Sequence, residues 1–124
     1  MDIPEDILDT LKEMEALLSK HGWWQSQTMN KLLDYAENRR SDDFVELLIS
    51  NSVWGGSGSV VDVVLGNKDD ISRFDELVLK LAEWMEATGI RAPRAVNLRK
   101  TLELWFELER QGRSEYGGEI EKSE

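Results

Sequence analysis

The feature that most constrains the fold is a strict three-four spacing of apolar residues between positions 74 and 88. Side chains at this spacing share one side of an α-helix, so the segment predicts a helix with one buried face. Similar stripes recur in residues 7–18, 24–36, 44–48 and 98–106. The β-branched valines between residues 60 and 65 also fit a strand, but the sequence shows no second strand pattern and no internal repeat. We therefore predict an all-α fold, a compact single-domain bundle of about five to six helices.

The helix boundaries follow from capping signals. Ser72 and Asp75 have the serine-to-acid spacing of a capping box, which predicts the start of the longest helix. Gly22 and Gly89 stand where the first helix and this long helix are expected to end. The predicted helix starts with a capping or proline signal are Pro4, Ser41, Ser72 and Pro93.

Length and composition are those of a soluble single-domain protein. The 124 residues are enough to bury a core without cross-links, and no cysteine is present for disulfides or thiolate metal sites. The N-terminus is acidic where a secretory signal is basic, and no apolar run approaches the length of a membrane span. We expect a cytoplasmic protein with a helical domain at 1–112 and a polar C-terminal tail at 113–124.

The sequence is strongly acidic, with 25 acidic and 15 basic residues and a net charge of −10. A surface of this sign repels nucleic acid and anionic membranes and attracts basic partners, although it also serves simple solubility. The charge is uneven, because residues 91–113 contain six basic and three acidic residues, a net of +3. We expect this basic last helix to pack across the acidic remainder of the bundle.

No catalytic or metal-binding constellation stands out in the sequence. The single histidine, His21, falls at the end of the first helix, where a cation favours the helix dipole, and no partner lies near it in sequence. The acid pairs Asp42-Asp43 and Asp69-Asp70 fall at helix starts, where carboxylates are favoured for the same reason. No histidine–glutamate spacing typical of zinc sites occurs. We therefore predict no enzyme activity, no metal and no cofactor.

The segment from Trp54 to Asp62 reads WGGSGSVVD and leads into an apolar run. It lacks the lysine of a P-loop and the last glycine or alanine of a dinucleotide fingerprint. Ser59 and Asp62 have the spacing of a capping box, which predicts a short helix from about residue 60 to 65, closed by Gly66. We interpret residues 55–59, the glycine loop, chiefly as a helix start, with an anion site or a macromolecular contact surface as alternatives. The predicted structural residues are Gly55, Gly56, Gly58, Ser59 and Asp62.

Residues 54–65, WGGSGSVVDVVL, resemble the signature of a family of small uncharacterised bacterial proteins. That signature is Gly-Gly-Met-Gly-Ser, an apolar residue, Asn, Asp and further apolar residues. The chain departs from it at Ser57, where methionine is usual, and at Val61, where asparagine is usual. The resemblance implies a small helical bacterial protein, is compatible with an immunity-type role and assigns no activity. The matching residues are Gly55, Gly56, Gly58, Ser59, Val60 and Asp62.

Five tryptophans are many for a chain of 124 residues. Trp84 and Trp105 lie on apolar stripes and are expected in the core. Trp23 and Trp24 are adjacent, and consecutive helical residues point about 100° apart, so one of the two is expected to be partly exposed. An exposed indole is a favoured anchor for a protein partner, although a staple at a helix junction would explain it as well.

These observations favour a non-enzymatic binding protein of the bacterial immunity or antitoxin type, which occludes a basic toxin or effector. The alternative is a small-ligand or phosphate-binding helical domain that uses the glycine loop. A metal-dependent carboxylate enzyme and a DNA mimic are the weaker hypotheses. The predicted partner-binding residues are Trp23, Trp24, Asp42, Asp43, Trp54, Asp69 and Asp70.

Overall fold

The computed structural model describes residues 2–112, and all regular secondary structure in this range is helical. The helices are, in chain order, α1 (Glu5–Lys20), α2 (Ser26–Glu37), α3 (Ser41–Leu48), the single-turn α4 (Asn51–Trp54), α5 (Lys68–Ala87) and α6 (Pro93–Arg110). A 3₁₀ turn at Val60–Asp62 lies between α4 and α5. The predicted all-α bundle is thus confirmed, and the predicted tail at 113–124 lies outside the described residues. Within the described range, no helix combines the length and apolar character needed to cross a bilayer.

The bundle is organised around α1 and α5. α1 packs against α2 and α5, α5 packs in turn against α6, and α3 returns along α2 after the turn at residues 38–40. α1 and α5 run antiparallel, since ion pairs link them in reverse order: Asp6 with Lys80, Glu13 with Arg73, and Lys20 with Asp70. The apolar stripes meet in one core, whose buried members include Leu11, Met14, Leu18, Met29, Leu32, Phe44, Leu48, Leu81 and Leu102.

Helix α2 ends without a glycine. Arg39 takes a left-handed φ of 57°, and the amide of Arg40 reaches back to the Tyr35 carbonyl at 2.9 Å. This is the Schellman ending that glycine usually makes, and the left-handed conformation costs another residue about 1–2 kcal/mol. The Arg40 guanidinium stacks 4.7 Å from the Tyr35 ring centroid and forms an ion pair with Asp43. These contacts hold the turn between α2 and α3 in place of glycine.

Three predicted helix boundaries are wrong. α5 begins at Lys68 and not at Ser72, because the Asn67 side chain accepts the amide of Asp70 at 2.8 Å and caps the helix earlier. The glycine loop is followed only by the 3₁₀ turn, and the backbone is already extended at Val63 instead of helical to residue 65. Trp24 precedes α2 and is therefore not part of its apolar stripe.

The basic helix α6 neutralises little of the acidic surface. Arg99 pairs with Glu86 of α5 at 2.5 Å and with Glu103 of its own helix at 2.8 Å. Arg94 and Lys100 are exposed and form no ion pair with any residue between 2 and 112. The expected packing of basic groups across the acidic body is therefore limited, in this range, to one arginine.

Candidate functional site

Trp54 ties the start of the glycine loop to the bundle. Its indole is 4% exposed, and Nε1 donates to the Leu48 carbonyl oxygen at 2.7 Å. That carbonyl belongs to the last turn of α3, where no amide of the same helix can reach it. This burial corrects the prediction that Trp54 contacts a partner, because the side chain belongs to the core.

Two glycines of the glycine loop are required by local geometry. A Cβ at Gly55 would lie 2.6 Å from both the Cβ and the backbone oxygen of Asn51, so no side chain fits there. Gly58 has a φ of 88°, in the left-handed region that other residues rarely adopt. Gly56 carries neither restriction, since a Cβ there would meet nothing within 4 Å. The glycines therefore shape a tight exit from α4 and the turn that follows it.

Ser59 and Asp62 do not form the predicted capping box. The Asp62 carboxylate accepts the Gly58 amide at 3.3 Å, whereas Ser59 Oγ caps no amide and is buried without a partner among residues 2–112. Gln25 holds the loop from α2, because its Nε2 donates to the Gly58 carbonyl at 3.1 Å. A carboxylate already occupies the amide that an anion would need, so this geometry does not favour the phosphate-binding alternative.

His21 has a partner that its local sequence does not show. Nε2 lies 2.8 Å from the Asp70 carboxylate, and Nδ1 accepts the Gly66 amide at 3.2 Å. An accepting Nδ1 carries no proton, so the ring in this geometry is the neutral tautomer that donates from Nε2. Both nitrogens are engaged, and His21 fastens the end of α1 to the loop before α5.

Asp70 is the centre of this junction between α1 and α5. Its carboxylate accepts from Lys20 Nζ at 2.8 Å, from His21, and from Asn67 Nδ2 at 3.2 Å. The hydrogen bond from Lys20, followed by that from His21, lowers the pKa of Asp70 to about 2. Asp70 was predicted to bind a partner, and these contacts give it a structural role. Local sequence could not reveal the junction, because 50 residues separate Lys20 from Asp70.

The other predicted partner-binding residues do not form one site. Trp24 is 59% exposed in the turn between α1 and α2, and Trp23 beside it is half-buried against the core. This agrees with the expectation that one of the two tryptophans is partly exposed. Asp42 and Asp43 start α3 at the opposite end of α2, a helix of 12 residues that is about 18 Å long. Asp69 is exposed in the first turn of α5.

A shallow groove of about 710 Å³ lies between α5 and α6. We call it the α5–α6 groove. Leu79 and Phe106, both half-buried, form its apolar floor. Partial burial, and then the hydrogen-bonded carboxyl of Glu103, raise the pKa of Glu83 at its edge. Sequence reasoning missed the groove, because it depends on how two helices that are each predictable lie against one another. The lining residues are Glu76, Leu79, Lys80, Glu83, Phe106, Glu109 and Arg110.

Neither a metal site among the described residues nor a similar protein of known function points to a role for this chain. In the part of the chain that the structure describes, no group of three or more histidine or acidic side chains could hold a metal ion. No protein-family model, curated protein or solved structure matches the chain. The resemblance of residues 54–65 to a bacterial family therefore stays a prediction, and the function must follow from the surface of the molecule.

Proposed function

We propose that the chain is a non-enzymatic binding protein of the bacterial immunity or antitoxin type, which occludes a basic toxin or effector. The observation that supports this is the set of exposed carboxylates without counter-charges on α1, α2 and α3. Asp9, Glu37, Asp42 and Glu46 are exposed, and none forms an ion pair with another described residue. Such a surface speeds the encounter with a basic partner and slows it with an acidic one.

Trp24 supplies an exposed apolar anchor just before α2, at the opposite end of that helix from Glu37 and Asp42. The residue is 59% exposed, and its turn is fastened to the following loops by the bonds of His21 and Gln25. Val64, which is 71% exposed, lies on the loop that these two bonds hold. A large aromatic side chain on a held backbone loses little conformational freedom on binding, which is why such residues are frequent hot spots.

Two contacts favour protein binding over catalysis and over phosphate binding. His21 is the single histidine of the sequence, and both of its ring nitrogens form hydrogen bonds that hold the fold. Neither nitrogen is therefore free to act as a general base in catalysis. The glycine loop already presents the Asp62 carboxylate to the Gly58 amide, which opposes a bound phosphate.

The test begins with affinity capture from native-cell lysate and continues with the association rate of the purified basic protein that is captured. Replacing Glu37, Asp42 and Glu46 by their amides should slow association about tenfold at low salt, and the difference should vanish at high salt. The control replaces Arg94 and Lys100 on α6 by glutamine and should leave the rate equal or slightly higher. An association rate that depends on neither salt nor these carboxylates would overturn the proposal.

The phosphate-binding alternative has its own measurement. If it holds, phosphate or a nucleotide raises the melting temperature of the wild type, and Gly58→Val removes the increase. No increase across a nucleotide panel would retire this alternative.

A further inference from the structure

We propose that the α5–α6 groove receives a basic amphipathic helix of the protein partner. This inference rests on the proposed function in one respect only, namely that the partner is basic. It adds a second contact surface, on the other side of the bundle from the exposed carboxylates of α2 and α3, and it names the secondary structure and chemistry that fit there.

The groove has the dimensions and floor that a short helical segment requires. Glu76, Leu79 and Glu83 stand on successive turns of α5, so the groove extends about 10 Å along that helix, or two helical turns. Leu79 and Phe106 supply half-buried apolar surface along its centre. Two antiparallel helices with an apolar seam between them can seat a third helix by inserting its side chains into the groove.

The charges at the rim select a cation. Lys80 already pairs with Asp6 of α1, and Arg110 pairs with Glu107 of its own helix, so both cations of the rim are neutralised from outside the groove. Glu83 has no ion pair with any residue from 2 to 112, and the same is true of Glu109 on the facing helix. The groove is therefore left with negative charge that the fold does not balance.

The environment of Glu83 in the free protein disfavours its negative charge. Burial, the neighbouring Glu103 carboxyl and the charge of Glu86 disfavour the ionised form of Glu83 and raise its pKa, and the nearby charge of Arg99 offsets only part of this effect. A lysine or arginine placed beside Glu83 would reverse that effect, and its apolar stem would lie on Phe106. A helix with apolar residues along one stripe and basic residues beside it meets both conditions, whereas a nucleic-acid backbone is repelled by the same carboxylates.

The experiment uses the full chain and a defined probe, a synthetic 14-residue helical peptide with leucines at three-four spacing and flanking lysines. A second peptide replaces each lysine by glutamine and keeps the leucines. Isothermal titration calorimetry should show binding of the lysine peptide and at least about tenfold weaker binding of the glutamine peptide. Glu83→Gln and Glu109→Gln should each weaken the lysine peptide about 2- to 5-fold, as expected for partly exposed ion pairs. Glu15→Gln on α1, a carboxylate outside both proposed surfaces whose side chain accepts a hydrogen bond from Ser19, is the matched control and should change the affinity by less than about 1.5-fold.

Circular dichroism of each variant establishes that the fold is intact, and it separates a lost contact from a lost structure. Equal affinity of the lysine peptide for Glu83→Gln, Glu109→Gln and the wild type would overturn the groove assignment. If the captured basic partner still binds in that case, the proposed function stands alone. A concentration-dependent dimer that is abolished by combining Glu83→Gln with Glu109→Gln would assign the groove to a second copy of the chain and would likewise overturn the inference.

Discussion

Replacing Trp54 by phenylalanine should destabilise the fold by about 2–4 kcal/mol, because two losses add. The indole N–H that reaches the Leu48 carbonyl at 2.7 Å disappears, and a buried carbonyl without its donor costs about 1–3 kcal/mol. The phenyl ring is also smaller than the indole at a site only 4% exposed, and the volume left unfilled adds roughly 1 kcal/mol. Since domains of this size are stable by only about 5–15 kcal/mol, the change is large.

Urea denaturation followed by far-ultraviolet circular dichroism measures this difference in the free energy of unfolding. The matched control is Trp24→Phe, the same replacement at an indole that is 59% exposed, and it should change the free energy by less than about 0.5 kcal/mol. An unchanged slope of the free energy against urea would show that both variants unfold from the same compact state. Equal losses in the two variants would refute the reasoning, because burial and the Leu48 bond would then carry no particular weight.

Three further changes test the turns and the junction. Arg39→Gly should raise the free energy of unfolding by about 0.5–1 kcal/mol, because relief of the left-handed φ of 57° exceeds the added chain entropy of glycine; a decrease in calorimetric stability would contradict this. Gly55→Ala should lower the melting temperature, since its Cβ would lie 2.6 Å from the Asn51 backbone oxygen, while Gly56→Ala, with no atom within 4 Å, should leave it unchanged. The lowered pKa of Asp70, about 2 in the fold against an ordinary value of 3.8, means that its ionised form stabilises the fold above pH 4 and that this contribution is lost as the pH falls towards 2. Asp70→Asn should therefore lose less stability than the wild type between pH 4 and pH 2 in acid titrations, and parallel titration curves would speak against the junction.

The helices were predictable from the sequence because their evidence is local. The stripe from Phe74 to Met85 repeats every three or four residues, and this repeat survives whatever surrounds the helix. The start of α5 was missed because Asn67 and Ser72 are both good capping residues, and local sequence cannot rank them. The hydrogen bond that the Asp70 amide donates to Asn67 Oδ1 decides between them, and the Asp70 side chain is itself positioned by Lys20 of α1.

The candidate site was less predictable, because its contacts join residues far apart in the chain. His21 meets Asp70 across 49 residues, and the groove that holds Glu83 and Glu109 forms only when α5 and α6 lie side by side. Trp54 shows that a contact can be hidden in the sequence even when its partner is only six residues away. Its side chain was predicted to contact a partner, and the bond to the Leu48 carbonyl that accompanies its burial depends on how α3 ends.

The antiparallel pairing of α1 with α5 has a consequence for the chain while it is being synthesised. The ion pair between Lys20 and Asp70 cannot form until the 50 residues that separate them have been synthesised. At typical translation rates this separation corresponds to roughly 3–10 s, during which α1 can pack against α2 but not yet against α5. The arrival of α5 is therefore the step that completes the packing around α1.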